Sequence, residues 1–125
     1  MLNTDGTKPI YVQIADWLET EIMNGHFQPD EKVYSQYQLA DMYTINPATA
    51  AKGLNLLVDE NILYKKRGLG MFVTKNAKER IIQKRKSQTL KRLIEEVVLE
   101  ARRLQIDETE LMDMIKTVQS EGGES

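Results

Sequence analysis

Ser35-Gln36-Tyr37-Gln38-Leu39-Ala40-Asp41-Met42-Tyr43-Thr44-Ile45-Asn46-Pro47-Ala48-Thr49 is the stretch that decides the fold. Ser35 and Gln38 have the spacing of a capping box, in which the hydroxyl accepts from an early helical N–H and the amide oxygen accepts from the Ser N–H. A helix is therefore expected from about Gln36 to Tyr43, burying Leu39, Ala40 and Met42. Asn46-Pro47 opens another: Asn suits the N-cap, and Pro suits the first helical position, where its missing N–H leaves no bond unmade. Only Thr44 and Ile45 separate the two helices. Two helices joined by so tight a turn have the form of a helix-turn-helix.

Working outward, the helix that starts at Pro47 should run to about Glu60. Ala50, Gly53, Leu54 and Leu57 fall on one face, which should meet the core, and Ala48, Thr49, Lys52 and Asn55 fall on the other. Gly53 inside a helix costs about 0.8–1 kcal/mol relative to Ala, and close packing against an earlier helix is the expected compensation. Asn61 suits a left-handed helix end. Upstream, residues 1–8 read as a flexible lead-in. Ile10, Ile14, Trp17, Leu18 and Ile22 then recur at helical spacing after Pro9 and stop at Asn24-Gly25. Trp17 is assigned to the core. The single histidine, His26, is read as structural or merely exposed, in a loop that closes on an extended piece, Lys32-Val33-Tyr34.

Downstream of Asn61 the period falls from 3.6 to 2. Ile62–Lys65 and Met71–Thr74 read as strands joined by the glycine-bearing tip Lys66-Arg67-Gly68-Leu69-Gly70. The fold expected for residues 9–75 is thus mainly α with a small β-hairpin wing, a winged helix-turn-helix. From Ala77 to Leu104 the pattern is helical as a single run. Asp107 and Glu110 then fit another capping box, with Ile106 and Leu111 placed as a hydrophobic staple, before a last helix. Residues 120–125 read as a flexible tail. Leu90, Leu93, Ile94, Val97, Val98, Ala101 and Leu104 form an apolar stripe too wide for a lone solvated helix, and the last helix adds Leu111 and Ile115 among its own apolar side chains. Residues 76–119 are accordingly read as a two-helix dimerisation region.

The 125-residue chain has 41% hydrophobic and 29% charged residues and a formal net charge of −2. That net value hides an asymmetry: residues 61–92 hold eleven basic and one acidic side chain, while the flanking segments are each acidic. Such a band between acidic regions suits a polyanion, although a solvated helix face would look the same by charge alone. Having no cysteine excludes disulfides and thiolate chemistry. One histidine leaves little for acid–base work, so no enzyme activity, metal or cofactor is expected. No apolar run reaches the roughly 18 residues of a membrane span, and a cytoplasmic protein is expected.

Five segments in register resemble the GntR family of bacterial transcriptional regulators. They are Pro9-Ile10-Tyr11-Val12-Gln13-Ile14-Ala15, Leu39-Ala40-Asp41, Ile45-Asn46-Pro47-Ala48-Thr49, Leu54-Asn55-Leu56-Leu57 and Arg67-Gly68-Leu69-Gly70-Met71-Phe72-Val73. The Asn-Pro-x-Thr start and the short C-terminal part look most like the YtrA-type subfamily. The resemblance implies a repressor that binds a palindromic operator as a homodimer, in a setting where relatives often sit beside ABC-transporter genes. Two positions depart from the family pattern. Tyr37 stands where the family usually has an arginine that touches DNA, and Asn61 stands where it usually has glycine.

On this reading the start of the third helix enters the major groove. Asn46, Ala48, Thr49 and Lys52 are the candidate contacts there, with Asn46 equally suited to a purely capping role. Lys66, Arg67, Gly68 and Gly70 form a wing that approaches phosphate. Ser35 and Tyr37 complete the set at the start of the second helix, where capping is the plainer role for Ser35. The partners expected are double-stranded DNA and a second copy of the chain, with any small-molecule effector unidentified. The alternative reading is a winged-helix module that binds protein and not DNA.

Overall fold

A computed structural model describes Leu2 and residues 8–122. The rest of the expected lead-in and residues 123–125 of the expected tail lie outside the described residues. Helices α1 (Ile10–Met23), α2 (Gln36–Tyr43) and α3 (Pro47–Asp59) precede a hairpin of β1 (Leu63–Lys66) and β2 (Gly70–Val73). Then come α4 (Ala77–Lys84), a π-helical segment (Arg85–Leu90), α5 (Lys91–Arg103) and α6 (Glu108–Gly122). The chain divides into two compact units, one ending at Lys84 and the other beginning at Arg85. The first therefore extends past the residue-75 boundary expected from sequence, because Ala77 and Ile81 are buried in the same core as Ile14 and Leu18.

The capping box at Ser35 forms in both directions, and the Asn46 side chain accepts from the Ala48 N–H at 2.8 Å. Between the two helices Thr44 adopts φ 54°, and the Ile45 N–H returns to the Ala40 carbonyl at 3.0 Å. Leu39 and Ala40 are buried as expected, but Met42 is 47% exposed. At about 100° per residue, the inward arc of α2 is centred on Leu39, Ala40 and half-buried Tyr43, and Met42 falls beyond its edge. Trp17 is half-buried, stacked on Tyr34 and edge-on to Tyr43.

Gly53 lies where α3 crosses α1. A Cβ at this position would sit 2.7 Å from the Tyr11 carbonyl oxygen and 3.1 Å from Ile14 Cγ2. The low helix propensity of glycine is offset by an approach that no side chain permits. Gly53→Ala is accordingly expected to lower stability by about 2 kcal/mol, since overpacking against backbone outweighs the propensity gain. Urea denaturation checks this, and an unchanged midpoint would show that α1 yields freely.

The hairpin pairs antiparallel with Leu63 opposite Val73 and Lys66 opposite Gly70, each strand lying one residue later or earlier than its sequence pattern suggested. Residues 30–33 run along the other edge of β2. The Val33 N–H donates to the Met71 carbonyl at 2.9 Å, and the Val73 N–H donates to the Glu31 carbonyl at 3.0 Å. Asn61 takes φ 60°, turning the chain from α3 into β1. Lys84, the last residue of α4, bonds Glu19 of α1 and, at 2.7 Å, Glu60 at the end of α3.

The helical run after Ala77 is not uniform, as the π-helical segment shows. Its residues, Arg-Lys-Ser-Gln-Thr-Leu, include one apolar side chain, so apolar periodicity could not register the wider turn. In the second unit Asp107 Oδ1 accepts from the Glu110 N–H at 2.9 Å at the start of α6. That helix continues to Gly122, into the expected tail. Among the described residues, no helix is long and apolar enough to cross a membrane.

Candidate nucleic-acid interface

Three elements of the first unit build this surface. The start of α2 contributes Ser35, whose hydroxyl accepts from the Gln38 N–H at 3.1 Å while its own N–H donates to Gln38 Oε1 at 2.8 Å. These bonds commit Ser35 to capping. Two residues on, Tyr37 is 69% exposed.

The exposed face of α3 contributes Ala48 and Lys52, with Thr49 half-buried beside them. Lys52 is not an unconstrained surface lysine: its ammonium lies 4.2 Å from the centroid of the Tyr11 ring. Asn46 is exposed, yet its side-chain oxygen is engaged by the cap.

The wing is the third element. The Leu69 N–H closes the tip onto the Lys66 carbonyl at 2.9 Å, with Gly68 at φ 77° and Gly70 at φ 117°. Lys66 Nζ lies 4.7 Å from the Phe72 ring centroid. Phe72 stacks on Tyr64, whose hydroxyl donates to Asp30 Oδ1 at 2.8 Å. That hydrogen bond, with lesser contributions from burial and the Asp30 charge, raises the Tyr64 pKa above its ordinary value and keeps the phenol a donor.

Two concavities order these groups. One, of about 330 Å³, is lined by Ser35 and Tyr37 on one side and by Lys66, Arg67, Gly68 and Gly70 on the other. The second, of about 550 Å³, is lined by Tyr11, Ala48, Lys52 and Asn55 among others. Gln36 lines both. The wing and the outer face of α3 therefore flank the same residue at the start of α2. Asn46 and Thr49 line neither concavity.

Sequence reading missed Gln36 and Lys32. By its sequence Gln36 is only the first residue of a helix, and its place between the basic wing and the outer face of α3 depends on how α2 packs. Lys32 lines the first concavity, and a Cβ on Gly70 would meet its Cε at 2.8 Å. Its position follows from pairing with Phe72, some forty residues downstream, and no local pattern reports that.

The expected dimerisation residues all belong to the second unit. Leu90, Leu93, Ile94, Val97, Leu104 and Ile115 are exposed, while Val98 and Leu111 are half-buried. Met112, Met114 and Val118 of α6 are exposed as well.

A profile of bacterial regulatory proteins of the gntR family matches residues 10–73. Two Bacillus subtilis (strain 168) repressors are similar in sequence. HTH-type transcriptional repressor NagR is 38% identical over 82 residues, which are 66% of this chain and 34% of NagR. HTH-type transcriptional repressor YtrA is 26% identical over 113 residues, 90% of this chain and 86% of YtrA. The chain thus spans about a third of the length of NagR but most of YtrA. Among solved structures, a GntR family transcriptional regulator from Listeria monocytogenes superposes with a TM-score of 0.74 at 32% identity, over 91% of this chain and 98% of that one. The AraR DNA-binding domain in complex with operator ORR3 superposes at 0.53 and 27% identity, over 59% of this chain and 89% of that one.

Proposed function

The chain belongs to the gntR family of bacterial regulatory proteins, and from that premise we propose that it is a cytoplasmic, sequence-specific DNA-binding repressor that holds a palindromic operator as a homodimer. The observation that carries this reading is Gln36 lining both concavities. That shared lining, with the cationic wing bordering one concavity and Ala48 and Lys52 of α3 the other, supports a reading in which a single duplex meets both. In that arrangement Lys52 and Ala48 meet base edges in the major groove, and Tyr37 supplies a hydroxyl at the groove's rim. Lys66, Arg67 and the close-approaching backbone of Gly68 and Gly70 meet sugar and phosphate, fixing register without reading sequence. Ser35 and Asn46 act first as caps, and Thr49 supports the reading face from its edge.

The exposed apolar side chains of α5 and α6 are the proposed dimer surface. A twofold dimer matches a two-half-site operator and gains avidity from the second site. The regulated genes are proposed to be those of an ABC transporter, by analogy with YtrA-type regulators; identifying neighbouring and derepressed genes tests that part separately.

Selection from a random duplex library by the full-length protein is the direct test. The expected product is a symmetric site whose affinity falls steeply with salt, by nearly one unit of log–log slope per phosphate neutralised. Lys52→Ala is expected to weaken binding to that site by about 1–3 kcal/mol and to relax preference at one base step in each half. A protein that retains no duplex DNA in dilute buffer would instead favour the protein-interaction module.

A further inference from the structure

We infer that Tyr11, on α1 and outside the helix-turn-helix itself, is a specificity-determining positioning residue that aims Lys52 at its base. This rests on the DNA-reading role of α3 proposed above. A lysine carries a flexible four-carbon stem and a point charge. Alone on a helix face it sweeps a wide arc and neutralises phosphate as readily as it meets a base edge. Here the ammonium is held 4.2 Å from the centre of the Tyr11 ring, where the negative face of the aromatic attracts it.

The local packing explains why the ring is within reach. Because residue 53 is glycine, the α1 backbone at Tyr11 comes in against α3 at the residue next to Lys52. The two side chains then line the same concavity, together with Ala48 and Asn55 of the reading face. Tyr11 thus removes conformations of Lys52 before DNA arrives, and ordering the side chain in advance leaves less freedom to lose on binding. The ring need not touch the duplex to do this.

The test measures relative affinities for the selected operator and its single-base variants, using full-length protein carrying Tyr11→Leu, Tyr11→Phe or Lys52→Ala and the Tyr11→Leu/Lys52→Ala pair. Tyr11→Leu is expected to reduce discrimination roughly two- to fivefold, the range of an exposed cation–π contact. The loss should be confined to the base step that Lys52→Ala also flattens, with the salt slope unchanged. Tyr11→Phe keeps the aromatic face and should restore the wild-type profile, and the double variant should match Lys52→Ala alone. A uniform loss across all sequences with a lowered melting temperature would show a merely structural residue and overturn the role. If Lys52→Ala shifts the profile and Tyr11→Leu does not, the Tyr11 role alone falls. If Lys52→Ala changes nothing, base reading by Lys52 has failed and Tyr11 falls with it.

Discussion

Val97→Glu is expected to leave the protein monomeric and to weaken its hold on a two-half-site duplex by about 10²-fold or more, the scale on which linked sites gain avidity. Val97 is 46% exposed on α5, which also exposes Leu93 and Ile94, with exposed Leu104 at its C-terminal cap. In the proposed twofold dimer a single substitution places two carboxylates in the interface. Each must be stripped of water, and the two repel one another. The first unit has its own core and supplies every proposed DNA contact. Binding to a single half-site should therefore survive, with its salt slope preserved per monomer. Sedimentation equilibrium and titration of one-site and two-site duplexes distinguish the effects. A Val97→Glu protein that stays dimeric with full affinity would place the interface elsewhere.

The second large effect concerns the ion cluster at the end of α4. Glu19 is 1% exposed, and its carboxylate is bonded by the Lys84 ammonium, which also reaches Glu60. Lys84→Met removes the positive charge from a buried carboxylate, and the expected destabilisation is about 3–5 kcal/mol. Glu19→Gln in the same background should recover part of it by removing a buried charge that has lost the Lys84 ammonium. Chemical denaturation of the single and double variants measures both. Losing the bridge should also free α4 from α1 and α3, visible as faster amide exchange around Ile81.

The pH dependence of this bridge has a definite sign. Partial burial acts to lower the Lys84 pKa, but the hydrogen bonds and charges of Glu19 and Glu60 outweigh it and leave the pKa raised. A raised lysine pKa contributes stability that is fully present below the unfolded value of about 10.4 and is lost as pH rises through the folded value. The Lys84 contribution should thus be complete at neutral pH and fade only in strongly alkaline solution.

Much of the first unit was legible because its signals are local. Ser35 with Gln38 and Asn46 with Pro47 mark helix starts within four residues, and both formed as read. Gly53 announced a close crossing, though not which helix it met. The Met42 and π-segment discrepancies arise from the same limit. Periodicity reports which residues are apolar, but the edge of a buried arc and the width of a turn depend on neighbours far along the chain.

The sequence by itself determined the boundaries of the first three helices, the tight turn, the basic hairpin and the family resemblance these carry, since capping, turn geometry and alternation act over a few residues. Only the tertiary structure decided that Gln36 lies between the wing and the exposed face of α3, that the Lys52 ammonium sits over the Tyr11 ring and that Lys84 closes on Glu19. Each of these joins elements brought together by the shared core, and long-range packing has no signature in local spacing.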